Sequence, residues 1–168
     1  PTHSLILLVA SPVFAAMLRS DMAEGLSKQI TLPGKSKEEY RVFEHFIQPR
    51  WPSLKVDRTA IDSENVDFLL KWFDEYQISD DSECKAECEA YLMKQEPTEE
   101  LLLQAHKFGL TKQYQRCLEV LATRVTAVDV EKFREAPEIL LDLFPAVQTQ
   151  FKNGKVVKTF VYDKIDQN

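Results

Sequence analysis

Cysteines, histidines and acidic clusters are the residues of this chain whose chemistry suits metal binding or catalysis. Two of its three cysteines, Cys84 and Cys88, lie four residues apart and therefore share one face of a predicted helix. No cysteine or histidine pair stands nearby to complete a metal site, and the neighbouring glutamates disfavour thiolate formation. We expect these two cysteines to be buried apolar residues rather than metal or redox groups. The odd, sparse set of cysteines also favours a reducing compartment, cytoplasmic and/or nuclear.

The histidines and carboxylates lack the spacing that catalysis needs. His45 and His106 fall within predicted helices, and neither has a nucleophile at a spacing that predicts a triad. Glu96, Glu99 and Glu100 precede or open a helix, where negative charge favours the helix dipole. The chain has four glycines, and no phosphate loop, nucleophile elbow or zinc-protease motif. We therefore predict no enzymatic activity, no catalytic residues, no metal and no cofactor.

Charge and hydrophobicity bear on two further classes of partner. The net charge is −6, whereas phosphate binding needs a clustered positive face, so we predict no nucleic-acid partner. No apolar run approaches the roughly 18–20 residues of a membrane span, so we predict no membrane partner either. With 168 residues, 44% of them hydrophobic, the chain suits one domain or one and a half and can bury a sizeable core.

The opening residues predict two short elements followed by a strand. The apolar run "SLILLV" at residues 4–9 fits a helix or a buried strand. Ser11 followed by Pro12 is a typical helix start, and we expect Asp21 and Gly25 to end that helix. The run "KQITLP" at residues 28–33 alternates apolar and polar residues before a Pro-Gly turn, which predicts a short strand.

The remainder of the chain predicts helices and contains an internal echo. Ser36 and Glu39 have the spacing of a capping box that opens a helix. Residues 68–92 and 101–121 then each pair two apolar helices. In both, the first helix ends in an aromatic residue two positions before isoleucine or leucine. We expect two stacked helical hairpins.

Two shorter helical pieces and a tail close the chain. We expect Pro137 and Pro145 to bound the helical pieces, because proline disfavours continued helix. The tail at residues 151–168 contains a glycine turn and an alternating run of valine and threonine. It fits either a strand or an extended linker.

The opening stretch "HSLILLVASPVFAAML" resembles the His-x-x-x-Leu-x-x-x-Ser-Pro-x-Phe signature of the BTB/POZ domain. "ITLPGKSKEEYRVFEHFI" resembles the strand, turn and helix of that family, and "ENVDFLLKWFDEYQI" with "CEAYL" resembles its closing helical hairpin. Residues 98–145 resemble the 3-box and BACK-like helices that follow the domain in many members. The residues in register with the signature are His3, Leu7, Ser11, Pro12 and Phe14.

The resemblance implies a mainly α (α+β) fold with three parts. Residues 1–95 would form a BTB/POZ helical cluster with a short, incomplete β-sheet, because the two strands that normally precede the histidine are missing. Residues 96–150 would form a 3-box/BACK-like extension of helical hairpins, and residues 151–168 the tail. The chain also departs from the family after Ile47, where Gln48 and Pro49 replace the usual tyrosine.

The resemblance further implies a protein–protein interaction module. Many members, including MATH–BTB proteins of the speckle type, are substrate adaptors of cullin-RING ubiquitin ligases and carry a hydrophobic-x-Glu motif after the Ser-Pro helix. Met22, Ala23 and Glu24 occupy that place, so we predict that they bind a cullin scaffold, with the protein substrate held by a domain outside this chain. In the alternative interpretation, Met22 packs the helix end onto the core, and the chain is a homodimerising scaffold without cullin affinity.

Dimerisation is implied by the family and favoured by the opening apolar segment. Five apolar residues in a row are too many for one buried stripe if the segment is helical. We predict that Leu5, Leu8 and Val9 face a second copy of the chain, which makes the protein a homodimer. The alternative is a segment buried on all sides within the monomer.

Overall fold

The computed structural model describes residues 3–20, 23–27, 29–48, 60–78, 81–124 and 128–152, which fall in two compact units, Pro1–Gln95 and Glu96–Asn168. The described part of the first unit consists of helices α1 (Ser4–Ala10), α2 (Pro12–Arg19), α3 (Ala23–Ser27), α4 (Lys37–Ile47), α5 (Val66–Glu75) and α6 (Asp81–Leu92). That of the second unit consists of α7 (Glu99–Phe108), α8 (Thr111–Thr123), a 3-10 turn (Val130–Phe133) and α9 (Glu138–Lys152). Within the described ranges, none of these helices has the length and apolar character to cross a lipid bilayer.

The helix starts follow the capping chemistry predicted from the sequence. The Ser11 hydroxyl accepts a hydrogen bond from the Phe14 N–H at the start of α2, and Pro12 occupies the first helical position. At α4, Ser36 Oγ accepts from the Glu39 N–H at 3.0 Å, and Glu39 Oε2 accepts from the Ser36 N–H at 2.8 Å. The predicted helix start at Ser11 and the predicted capping box are therefore confirmed.

The core of the first unit is a cluster of aromatic rings around Phe43. This side chain on α4 is fully buried, and its ring centroid lies 4.9 Å from that of Trp72 and 6.1 Å from that of Phe73 on α5. Phe14 of α2 approaches it edge-on at 6.5 Å, and Tyr76 lies 6.1 Å away. Phe43 thus connects three elements of the unit through ring contacts.

The second unit has a separate core of aliphatic residues. Helices α7, α8 and α9 each contribute to it, and Phe133 from the 3-10 turn is fully buried among them. Burial of this apolar surface supplies the main stabilisation of the unit. Its other buried members are Leu102, Cys117, Leu118, Leu121, Ala122, Ile139 and Leu143.

The three cysteines are buried thiols, and the prediction made for Cys84 and Cys88 is confirmed. Burial raises the pKa of Cys88 to about 12, and the neighbouring Cys84 and Glu87 raise it further. Burial likewise raises the pKa of Cys117. Cys84 Sγ lies 3.9 Å from the carbonyl oxygen of Phe46 and donates weakly to it. Among the described residues, no group of three or more histidines, cysteines and carboxylates has the arrangement of a metal site.

The short strand predicted for residues 28–33 is not formed in the part of the chain that the structure describes. Lys28 lies outside that part, and residues 29–32 form neither strand nor helix. The carbonyl of Leu32 instead accepts from the Lys35 N–H at 3.3 Å, which closes a turn at Gly34. An alternating run becomes a strand only beside a partner strand, and the described ranges contain none. The mainly helical class is shown, and the β-sheet is not.

The end of α2 also differs from the prediction. The helix ends at Arg19, because Ser20 adopts an extended conformation and its hydroxyl donates to the Met17 carbonyl at 2.8 Å. Gly25 lies inside the separate helix α3 and does not end α2. Asp21 lies outside the described residues.

Pro145 does not bound a helix, contrary to the prediction, but lies within α9. The proline ring is exposed, and the hydrogen bond that it removes is the one to the carbonyl of Leu141, an exposed residue. Water can therefore solvate that carbonyl, while Ile139 and Leu143 hold the helix against the core. The tail residues Phe151 and Lys152 end α9, and residues 153–168 lie outside the described part.

The internal echo in the sequence corresponds to one helix-ending motif that is used twice. After α5, Ile78 N–H donates to the Phe73 carbonyl at 3.1 Å, and Gln77 N–H donates to the Asp74 carbonyl at 3.2 Å. After α7, Leu110 and Gly109 donate in the same pattern to Ala105 and His106, at 2.9 and 3.3 Å. Both are Schellman motifs, in which the residue after the cap takes a left-handed conformation and the next apolar residue is buried. The stacking of the two hairpins remains a prediction.

Exchanging glutamine and glycine at the left-handed positions of the two Schellman motifs should have opposite effects on stability. Gln77 has a φ of 47°, and a positive φ strains any residue that has a side chain. Gly109 has a φ of 67° and is not strained, because glycine has no Cβ atom. We expect Gln77→Gly to raise the free energy of unfolding by about 1 kcal/mol and Gly109→Gln to lower it by about 1 kcal/mol. Urea denaturation of both variants measures these changes. Equal and negligible effects would show that left-handed strain does not limit stability at these positions.

Candidate interaction surfaces

Ser11 organises the segment that precedes the predicted partner-binding residues. Its side chain is fully buried, and its N–H donates to the Leu7 carbonyl at 3.1 Å, which ends α1. Its hydroxyl accepts from the Phe14 N–H at 3.1 Å and donates to the main-chain carbonyl of Tyr76. One residue therefore ends α1, begins α2 and ties the junction to the carboxyl end of α5.

Phe14, the aromatic residue of the same signature, also connects α2 to the carboxyl end of α5. The ring of Phe14 stacks on that of Tyr76 with centroids 4.5 Å apart and an interplanar angle of 18°. Leu18, one turn further along α2, is also buried. Because both side chains lie on one face of α2, the helix is held along its length, and the position of its last turn is determined.

A close backbone contact holds α3 against the end of α2. Gly25 is buried, and a Cβ atom at this position would lie 1.6 Å from the carbonyl oxygen of Ser20. No side chain larger than hydrogen fits there without displacement of the backbone. The absence of a side chain at Gly25 therefore fixes how closely α3 approaches the end of α2.

The structure describes part of the predicted cullin-binding motif. Met22 lies outside the described residues, and Ala23 begins α3. Glu24, in the first turn of α3, is half-buried. Leu26 is 77% exposed, so an apolar side chain lies in solvent two residues beyond the glutamate. The accessible residues of α3, Glu24 and Leu26, are together called the α3 surface below; two positions apart on a helix, their side chains lie on different sides of it.

Gly25 and Leu26 were not among the predicted site residues. The signal for Gly25 was present in the sequence, because glycine is scarce in this chain and costs stability inside a helix. From the sequence alone, however, this glycine predicts the end of α2. Leu26 gave no usable signal, since a single leucine is as common in cores as on interaction surfaces.

Helix α1 carries the three residues predicted to mediate dimerisation. Leu5 and Val9 are 59% and 64% exposed, one turn apart on the same face, and Leu8 is half-buried. His3 holds the amino end of this helix, since its Nδ1 accepts from the Leu5 N–H at 3.2 Å. The exposure of Leu5 and Val9 does not fit a segment buried on all sides. This pair is called the α1 surface below.

Comparison with known proteins gives one distant similarity. No protein-family model matches the chain. Over 114 residues it is 32% identical to the BTB and MATH domain-containing protein 38 of Caenorhabditis elegans. These residues are 67% of this chain, which spans 27% of that relative's length. The similarity indicates a BTB-related domain, and with it a protein-interaction family.

Proposed function

We propose that this chain is a protein–protein interaction module that acts as a substrate adaptor of a cullin-RING ubiquitin ligase. The observation that carries the proposal is the α3 surface, where Glu24 is half-buried and Leu26 is exposed on a helix that Gly25 seats against α2. The similarity to a BTB and MATH domain-containing protein supports the same class of function.

The α3 surface has the chemistry to bind another polypeptide. A carboxylate at the edge of an apolar contact can accept charge-assisted hydrogen bonds from a partner. A methionine side chain adapts to an irregular groove, which is the role proposed for Met22 beside it. Because α3 is seated by a backbone contact, little conformational entropy would be lost when the partner binds.

In the whole protein, we propose that the substrate is held by a domain outside the present chain. Two chains associate through the α1 surface, so that one ligase complex presents two substrate-binding domains. The buried thiols suit a cytoplasmic or nuclear protein, because such cysteines need no oxidising environment.

Titration of the chain with the purified N-terminal region of a cullin tests the adaptor function. We expect Glu24→Arg to weaken binding at least tenfold, which corresponds to about 1.4 kcal/mol, because it places a cation where the partner donates hydrogen bonds. Met22→Glu should have a similar effect. Glu135→Arg, the same charge change at an exposed glutamate of the second unit, should bind like the wild type. Absence of wild-type binding, or unchanged binding of both motif variants, would contradict the adaptor role.

The exposed pair on α1 favours a second candidate, a homodimerising scaffold without cullin affinity. We expect the double variant Leu5→Asp with Val9→Asp to sediment as a monomer, because two carboxylates oppose burial of the α1 surface. Val130→Asp, at a residue 58% exposed in the second unit, is the matched control and should sediment like the wild type. A stable dimer that lacks cullin affinity would favour the scaffold, and an invariant sedimentation coefficient would refute dimerisation through α1.

A further inference from the structure

The segment between α3 and α4 has the burial pattern of a strand but lacks a neighbouring strand in the described part of the chain. Ile30 and Leu32 are half-buried, whereas Gln29 and Thr31 are exposed, so alternate side chains face the protein. Among the described residues, neither the N–H nor the carbonyl of Ile30 or Thr31 has a hydrogen-bond partner. An unpaired main chain of this kind is an edge to which another extended chain can hydrogen-bond. Residues 29–32 are called the open edge below.

A groove of about 320 Å³ lies beside the open edge. This volume is at the small end of the range for binding sites in proteins, and it suits single side chains of a bound peptide. The groove is lined by three apolar or aromatic residues and by three polar residues around the start of α4, namely Ile30, Leu32 and Tyr40, and Lys35, Ser36 and Lys37.

The charged residues that line the groove are lysines. Lys35 Nζ pairs with Glu75 and lies 5.5 Å from the centroid of the Trp72 ring, so this ammonium group has a fixed position. Lys37 is exposed and, within the described ranges, pairs with no carboxylate. None of the lining residues is acidic. The groove is therefore locally cationic on a chain whose net charge is −6, and it favours a partner carboxylate beside Lys37.

We propose that the open edge and this groove bind an extended segment of a second protein, which pairs with residues 29–32 as a neighbouring strand. The segment carries an apolar side chain for the groove and, two residues away, a carboxylate for Lys37. Side chains two residues apart in a strand lie on one face at about 7 Å from each other, so the partner has the motif apolar-x-acidic. In this mode of binding, main-chain hydrogen bonds supply affinity and the two side chains supply specificity.

The composition of the open edge favours a different protein over a second copy of this chain. A second copy paired through the same edge would offer the residues "QITL", which contain no carboxylate for Lys37. The open edge shares no residue with the α3 surface or the α1 surface. The proposal is therefore independent of cullin binding and of dimerisation through α1.

Fluorescence anisotropy with a labelled, end-blocked peptide tests the proposal in the full chain. The probe Thr-Val-Thr-Glu-Thr-Val-Thr-Glu places valine and glutamate alternately on one face and threonine on the other. We expect the wild type to bind this glutamate peptide saturably. A lysine peptide, with lysine in place of both glutamates, should bind at least tenfold more weakly because it meets the lysines of the groove. The glutamate peptide N-methylated at its four central residues should also bind at least tenfold more weakly, because it lacks the main-chain donors of a strand.

An exchange of charge tests whether the carboxylate lies beside Lys37. Lys37→Glu should weaken binding of the glutamate peptide at least tenfold and strengthen binding of the lysine peptide at least tenfold, because the second pair again has opposite charges. Lys112→Glu, the same charge change at an exposed lysine of the second unit, should leave both affinities unchanged. Lys37→Glu should also keep the wild-type midpoint in urea and the wild-type affinity for the cullin N-terminal region, because Lys37 is exposed and lies outside the α3 surface.

Several results would overturn the proposal. These are absence of wild-type binding to the glutamate peptide, equal binding of its N-methylated form, and a Lys37→Glu variant with unchanged affinity for both peptides. Failure of a longer form of the protein, extended before Pro1, to bind the glutamate peptide would also overturn it, because a strand of the same protein would then occupy the open edge.

Discussion

Replacement of Phe43 by alanine is expected to lower the free energy of unfolding by about 3–5 kcal/mol. The side chain is fully buried, and its ring lies within 4.9–6.5 Å of the rings of Phe14, Trp72, Phe73 and Tyr76. Alanine would leave a cavity where three elements meet, and packed rings relax only partly into such a space. Urea denaturation followed by tryptophan fluorescence measures the loss.

Arg41→Ala provides the control on the same helix. Arg41 is exposed, and alanine is at least as good a helix former, so we expect a change within about 0.5 kcal/mol. A loss of less than 1 kcal/mol for Phe43→Ala would mean that the aromatic cluster closes around the smaller side chain. The description of Phe43 as the common contact of α2, α4 and α5 would then be wrong.

Replacement of Gly25 by alanine should destabilise the first unit by about 1–3 kcal/mol and disturb the α3 surface at the same time. The added methyl would meet the Ser20 carbonyl oxygen at 1.6 Å, and a main-chain atom cannot turn away as a flexible side chain does. Helix α3 must therefore move away from α2, and Glu24 and Leu26 move with it. We expect a lower midpoint in urea and weaker binding to the cullin N-terminal region.

Leu26→Ala separates the two expected effects of Gly25→Ala, which are lower stability and weaker binding to the cullin N-terminal region. Its side chain is 77% exposed, so its loss should leave the denaturation midpoint unchanged. A Gly25→Ala variant that unfolds at the wild-type midpoint would show that α3 is not seated against Ser20. A destabilised variant with full partner affinity would instead show that the partner does not use the α3 surface.

Local chemistry accounts for the elements that could be predicted from the sequence. The Ser11 hydroxyl accepts from the Phe14 N–H, and Ser36 and Glu39 accept from each other's N–H. These partners lie within four residues along the chain, so both helix starts could be predicted without the tertiary structure. The repeated aromatic-x-apolar sequence could be identified without the structure. The structure was needed to show that both copies end a helix in a Schellman motif, because Gln77 is an unusual residue for a left-handed position.

The incorrect predictions concern features that depend on distant partners. A strand at residues 28–33 requires a neighbour in a sheet, and local alternation carries no information about that neighbour. Pro145 is tolerated because Leu143 before it and Val147 after it pack against the core, and because the carbonyl that loses its partner belongs to an exposed residue, Leu141. The tertiary structure outweighs a local preference in both places.

The candidate site was only partly predictable for a similar reason. The resemblance to a known signature predicts Met22, Ala23 and Glu24 as site residues, and Glu24 does lie half-buried on helix α3. The contact between Gly25 and Ser20 depends on how two short helices approach each other. No periodicity or composition within either helix specifies that approach.

The burial of the thiols provides a natural means of following each unit separately. Cys84 and Cys88 lie in the first unit and Cys117 in the second, and burial keeps all three inaccessible to an alkylating reagent. Reaction with iodoacetamide therefore requires local opening, and the mass added to each peptide identifies the unit that opened. In mild denaturant, the order in which the peptides gain mass gives the order in which the units unfold.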